Sequence, residues 1–460
     1  MPDSDEAVTA AEAGAAYPTR RRALAAVPAA VTALSLAACA GFRDAATPSS
    51  SAGSGTLPAE LSWMGWSMEQ EFLTPAYEEA AAGFATKHSG SKLVLLPTAE
   101  YRQKYTTLVA AGTPPDAADM HWQQHVRDVG PAGLALDVSP YLKKDPYPKD
   151  YLGWDPYAWQ KKQYAVPSAV QGTGLFYNQG LFDEAGVKYP DDDWTWDQFV
   201  DAARRLTKPG GDDNSTIWGA GDQGGTNVGW MNALFHAFGG GFFTPDYRAT
   251  RFMDKETLEA MEFRATWGPR LKIARNVPGG TSGQFTGGRM AMVISGSWFV
   301  ANVKRATTSA LNTGRVPWDV APLPRGPKRH GGLTAELGIG IPAGAKNPDA
   351  SWLAVRHLTS REGLLPFARI GRYIPPLRSL WNEAIPADGM PKGFKKTFLD
   401  PWEKLDVPSP FLPDFQQIIP SWEEEGGKVW TGERPARDGA AALARLFDDY
   451  LKRLKTEGKL

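Results

Sequence analysis

Thiols are all but missing from this chain: Cys39 is the one cysteine in 460 residues. A lone cysteine forms no internal disulfide and cannot build a thiolate-ligated zinc site. Histidine is scarce too, at six residues. Net charge nearly vanishes, with 50 Lys+Arg against 51 Asp+Glu. No block of basic residues stands ready to neutralise a phosphate backbone, so nucleic acid is not an expected partner. A spanning helix needs roughly 20 apolar residues, and the uncharged stretch that begins at Ala23 is Ala-dominated with Pro28 inside it, a poor span. What is plentiful is aromatic surface: 17 Trp, 14 Tyr and 20 Phe. That balance suits work done by ring faces more than by metals or thiolates. A hydrophobic content of 42% over this length describes a globular chain with two or three cores.

The first part of the chain reads as an address. Arg20, Arg21 and Arg22 form a positive cluster, the stretch from Ala23 to Ala38 carries no charge, and Cys39 follows. A basic region, a short apolar region and small residues before a cut describe a secretory signal over residues 1–38. Leu36-Ala37-Ala38-Cys39 looks like a bacterial lipobox, which makes Cys39 the expected lipidation site and new N-terminus. Thr19 to Leu24 also resembles a twin-arginine export motif. Residues 39–57, with Pro48-Ser49-Ser50-Ser51-Ala52-Gly53-Ser54-Gly55, are small and polar and read as a flexible tether. Three basic and four acidic residues precede Cys39, leaving 47 of each sign in the mature chain.

Beyond the tether, strand and helix patterns alternate. Strands are expected at Glu60–Gly65 and Ser91–Leu96. Helices are expected at Thr74–His88, Tyr101–Ala111, Trp194–Thr207, Thr257–Thr266, Pro348–Thr359 and Ala436–Leu454. Gly112, Pro114 and Pro115 stop the second helix, and Thr195 is placed to cap the third. Such alternation implies an α/β fold with crossover units. Ligands then bind outside the carboxyl ends of strands, which directs attention to the segments after Met64 and Met120.

Motifs for catalysis largely fail. His121 and His125 have the helical zinc spacing, but Trp122 stands where a metalloprotease needs its glutamate, and no third ligand is evident. No metal site is expected. Gly219-Ala220-Gly221-Asp222-Gln223-Gly224 matches dinucleotide glycine spacing, yet Asp222 would face the pyrophosphate, so no nucleotide cofactor is expected. There is no nucleophile elbow and no Walker loop. Asp191-Asp192-Asp193 and Glu423-Glu424-Glu425 keep a glycosidase open as an alternative, because spacing cannot say whether two carboxyls face each other across a sugar.

Three stretches, in order, carry a resemblance. The first runs from Tyr164-Ala165-Val166-Pro167 through Gln171-Gly172-Thr173-Gly174-Leu175-Phe176-Tyr177-Asn178 to Phe182-Asp183-Glu184-Ala185-Gly186 and Trp194-Thr195-Trp196. The second is Phe285 to Met292 followed by Ser295-Gly296-Ser297-Trp298, and the third is Trp318 to Pro324. Together they resemble bacterial extracellular solute-binding proteins of the maltose-binding-protein type, lipoproteins that feed sugar ABC importers. The resemblance implies a two-lobed periplasmic-binding-protein-like fold (type II), with hinge crossings and a ligand cleft between the lobes. Lobe 1 is expected at 58–167 plus 323–370, lobe 2 at 168–322 plus 371–460.

It also implies a carbohydrate ligand, of oligosaccharide size, delivered to the transmembrane subunits of an ABC permease. No catalysis, a monomeric chain, and lipid anchorage through Cys39 to the outer face of the cell membrane go with that role. A sugar has an apolar C–H face and a polar rim, which an indole and nearby polar side chains match. By position in the resemblance, Trp298 is the expected stacking residue and Gln171 the polar hinge side chain, standing where an acid is common. Trp66 and Glu69 follow the first strand, and His121 and Trp122 follow a later one. Trp230, Arg372 and Tyr373 complete the expected cleft set. The alternatives are a secreted carbohydrate-active enzyme, or a binding protein for a peptide or another small solute.

Overall fold

The computed structural model describes residues 57–121, 126–222, 227–275, 282–308, 317–327, 333–385, 390–400 and 412–460. The leader, Cys39, the tether to Thr56, Trp122 and His125 lie outside the described residues.

The fold opens with two parallel crossovers. Strand β1 (Glu60–Met64) leads into helix α1 (Thr74–Lys87), which returns the chain to β2 (Lys92–Leu95). Helix α2 (Tyr101–Ala110) then leads to β3 (Ala117–His121), on the other side of β1. Gly112 ends α2's run with a left-handed φ of 70°, a conformation that costs glycine nothing. Each boundary falls within a residue or two of its expected place.

After a short hairpin of β4 (Ala158–Trp159) and β5 (Lys162–Gln163), the 13-residue β6 (Val166–Asn178) runs through the centre of the molecule. Its first half, Val166 to Gly172, pairs antiparallel with β10 (Leu333–Gly340), which in turn pairs with β3. Its second half, from Thr173 on, pairs with β8 (Met292–Gly296) on one side and β9 (Trp318–Ala321) on the other. Strand β7 (Gly221–Asp222) lies parallel to β8, giving the order β2-β1-β3-β10-β6-β8-β7 with β9 on β6. One strand therefore belongs to both halves of the sheet, and its pairing changes partners between Gly172 and Thr173.

Both halves pack around buried aromatics, and the larger cluster runs from the second half into Met64, Tyr101 and Met120 of the first. In the first, α1 packs Tyr77, Ala80 and Phe84 with Leu61 and Trp63 of β1, Val355 and Leu358 of α6 (Pro348–Leu358), and Phe367. In the second, α3 (Trp196–Leu206), α4 (Val228–Phe238) and α5 (Lys255–Ala265) surround Trp196, Phe199, Trp230 and Trp267. Trp422 and Phe447, from α7 (Ile419–Trp430) and α8 (Ala436–Thr456), close that core. The segment Ile374 to Ala384 returns to the first half: the Val170 N–H donates to the Ile374 carbonyl at 2.9 Å, and Leu380 and Ala384 pack against Leu364 and Leu365.

The tryptophans correct an expectation. Trp63, Trp194, Trp196, Trp230, Trp267, Trp352, Trp422 and Trp430 are all buried. The excess of indole serves the cores first, where each large ring removes much apolar area from water. Composition alone was therefore a poor argument for a cleft. In the dinucleotide-like stretch, whose Gln223 and Gly224 lie outside the described residues, Asp222 is buried, accepting from Arg264 Nε at 2.7 Å and Trp230 Nε1 at 3.0 Å.

Candidate functional site

The exit of β1 is shaped by one buried acid. Asp119 on β3 accepts the Trp63 indole N–H at 3.0 Å and the Trp66 backbone N–H at 2.7 Å. Tyr101 at the start of α2 donates to the carbonyls of Asp119, at 2.7 Å, and Met64. The Tyr77 hydroxyl donates to the Trp66 carbonyl. Gly65 has no side chain because a Cβ there would sit 2.6 Å from the Met68 side chain and 2.7 Å from the Tyr77 ring. The turn is thus pinned from both sides, and the Trp66 ring is held against His121 at 4.7 Å and Tyr101 at 5.2 Å.

A second group gathers where β6 changes partners. Gln171 lies just before that point, and the Ser297 N–H donates to the Gly172 carbonyl at 2.8 Å, so the end of β8 sits beside it. Trp298 follows directly, part-exposed. The Val170–Ile374 bridge brings in Arg372 and Tyr373, both 7% exposed. The Arg372 guanidinium lies 5.6 Å from the Trp298 ring centre and 5.1 Å from that of Tyr373, within cation–π range. Trp298's face is therefore shared with a guanidinium, which the stacking expectation did not include.

Charge links the two groups. Burial, reinforced by the Arg102 and Arg372 charges, holds the His121 imidazole down to about 3, so it is neutral at ordinary pH. Partial burial raises the Glu69 carboxyl, against the opposing pull of its own backbone N–H and Arg372. Burial pushes Asp119 up to about 7, despite the two N–H donors that favour its charged form. Trp66, Glu69, His121, Gln171, Trp298, Arg372 and Tyr373 thus come together around the strand ends. Among the described residues no three His, Cys, Asp or Glu side chains cluster to hold a metal ion.

Of the remaining expected residues, one stands elsewhere. Trp230 is 2% exposed and bonded to Asp222 in the second core, where it offers almost no surface to a ligand. Trp122 and Cys39 lie outside the described residues. Asp119 and Arg102 were missed. An acid inside the otherwise apolar Ala117-Ala118-Asp119-Met120 was a usable sign, since a buried carboxylate needs donors. The acidic runs are engaged at the surface: Asp192 with Lys396, Asp193 with Arg325, and Glu424 and Glu425 with Lys428.

Strand ends converging on one crossing strand, between two α/β halves, define a protein that binds a solute between lobes. The chain belongs to the bacterial extracellular solute-binding protein family, whose pattern it matches over residues 70–364. A binding protein of Brucella abortus is 23% identical over 368 residues, covering 76% of this chain and 82% of that one. An ABC transporter solute-binding protein from Thermotoga lettingae, bound with α-D-tagatose, superposes with a TM-score of 0.72 at 20% identity, covering 85% of this chain and 99% of that one. An ABC substrate-binding protein from Listeria monocytogenes, in complex with cycloalternan, gives a TM-score of 0.70 at 20% identity, with 87% and 99% covered. These are binding proteins with a two-lobed architecture, which this chain shares. Among its described residues no helix is long and apolar enough to cross a membrane.

Proposed function

We propose that this protein captures a carbohydrate outside the cytoplasm and hands it to an ABC permease, performing no chemistry itself. The single observation that carries the reading is the ring of Trp66, Gln171, Trp298, Arg372 and Tyr373 around the point where β6 leaves one half for the other. Indoles, a neutral carboxamide and a guanidinium suit a ligand with an apolar face and a hydroxyl rim. The ligands of the two structural neighbours support it. Rotation of the halves about the hinge would close the ring over the ligand and strengthen its hydrogen bonds by excluding water. Lobe 1 is assigned 58–167 plus 323–370 and lobe 2 168–322 plus 371–460, with Ser168 to Gly172 of β6 and Ile374 to Ala384 resting on lobe 1. Cys39 is assigned the lipid anchor, and the working unit is a monomer.

A thermal-shift screen against tagatose, maltotriose, erythritol and larger oligosaccharides tests the reading. A ligand at 100 times its Kd should stabilise by about 2.7 kcal/mol, and the sugar should be recovered unchanged. A screen in which only peptides or charged metabolites stabilise the chain sinks it. Cys39→Ser should move the protein from the membrane fraction to the soluble fraction.

A further inference from the structure

Gly296 ends β8 opposite Thr173, one residue beyond the place where β6 changes partners. A Cβ on Gly296 would lie 2.5 Å from Trp298 Nε1, 2.6 Å from Trp298 Cδ1 and 3.1 Å from Gln171 Oε1. The first two distances are closer than carbon atoms approach, so the nitrogen-bearing edge of the indole fills the space a side chain would take. The Gln171 side-chain oxygen faces the same notch. That oxygen is buried and has no hydrogen-bond partner among the described residues. A buried acceptor left without a donor is costly enough that it wants an explanation. On the ring side, Trp298 is already engaged: the Arg372 guanidinium lies over it at 5.6 Å, and Phe299 meets it at 5.7 Å and 68°.

We propose that Trp298 meets the ligand through its indole N–H edge, paired with Gln171 Oε1 as acceptor, and that Gly296 is the positioning residue that brings the two together. Such a pair selects a neutral hydroxyl. A hydroxyl accepts from an N–H and donates to a carbonyl at once; an ionised carboxylate has no proton for Gln171, and an ammonium has no lone pair for the indole. The inference rests on the carbohydrate reading above and gives Trp298 a different role from that of a stacking platform.

The test uses the full chain with 15N-labelled tryptophan. Trp298→Phe identifies the Trp298 indole N–H signal by deleting it. Without ligand, Gly296→Ala should shift that signal more than any other of the 17; an unmoved signal overturns the positioning role. Calorimetric titrations with tagatose, maltotriose and erythritol then read the pair. For a probe that binds, Trp298→Phe and Gln171→Met should each weaken binding about tenfold, as for a lost hydrogen bond. The double variant should lose much less than a hundredfold, because the two groups hold one hydroxyl. If Trp298→Phe binds within twofold of wild type while Trp298→Ala does not, the ring face makes the contact and the inference is overturned, with the carbohydrate reading intact. If no probe binds and the Gly296→Ala shift is present, the carbohydrate reading fails and the positioning role of Gly296 stands.

Discussion

Two buried side chains on β3 push stability in opposite directions with pH. Asp119 titrates near 7 in the fold against an ordinary carboxylate value, so between those limits the native state holds a proton that the unfolded chain lacks. Its contribution to stability therefore falls as pH rises from about 4 to about 7. His121 does the reverse. Held down to about 3, it stays neutral while the unfolded imidazole takes a proton below about 6.5, so acidification from 6.5 toward 3 destabilises the fold through it. The Tm of His121→Gln should accordingly gain on that of wild type as pH drops below 6.5; a difference that stays flat from pH 7 to pH 4 rules the argument out. Asp119→Ala leaves the indole N–H of Trp63 and the backbone N–H of Trp66 without their acceptor. At roughly 1–3 kcal/mol for each stranded donor, urea unfolding should show a loss of at least about 2 kcal/mol. A loss under half of that would mean that water reaches both donors.

Local elements were largely legible because their causes are local. Thr195 accepts the Gln198 backbone N–H while the Gln198 side chain accepts the Thr195 N–H, the reciprocal box that the Thr-x-x-Gln spacing announces. Thr195→Ala should cost about 1 kcal/mol in chemical denaturation, with binding unchanged if the helix only scaffolds. The middle of the sheet was less legible. β6 has partners more than a hundred residues away in sequence, and β10 was not anticipated, although Leu333-Thr334-Ala335-Glu336-Leu337 alternates apolar and polar residues as a strand does. Glycines in that region carry tertiary information invisible in the sequence. A Cβ on Gly393 would collide with the Val320 carbonyl on β9, whereas one on Gly211 would meet nothing within 4 Å. Gly393→Ala should thus lower the unfolding midpoint well below that of Gly211→Ala. Equal midpoints would show that the turn before residue 395 moves aside freely.

Across the whole molecule the halves touch at places other than the shared strand. The Asp128 carboxylate of the first half accepts the Asp414 backbone N–H of the second. Arg305 of the second half lies over the Phe72 ring of the first at 4.9 Å. Each contact is modest: an exposed cation–π pair contributes about 0.5–1 kcal/mol. Together they bias the ligand-free chain toward the arrangement seen here. Asp128→Ala combined with Arg305→Ala should increase the radius of gyration of the ligand-free protein in small-angle scattering, and a saturating ligand should reverse the increase. An unchanged radius would assign the arrangement to the hinge alone.

The sequence by itself determined the α/β class, most helix boundaries and the family, because propensity, capping, periodicity and short motifs act over a few residues. It also named seven residues that the structure gathers around the crossing of β6. Only the tertiary structure decided which tryptophans are buried in the cores and which, like Trp66 and Trp298, stay part-exposed, since an indole covers either surface equally well and composition counts both alike. Only it revealed Asp119 and Arg102 behind the site and the guanidinium over Trp298, contacts made between residues far apart in the chain. The aromatic excess that stood out against so few thiols, histidines and net charges is chiefly core, and the proposed binding group draws on a small remainder of it.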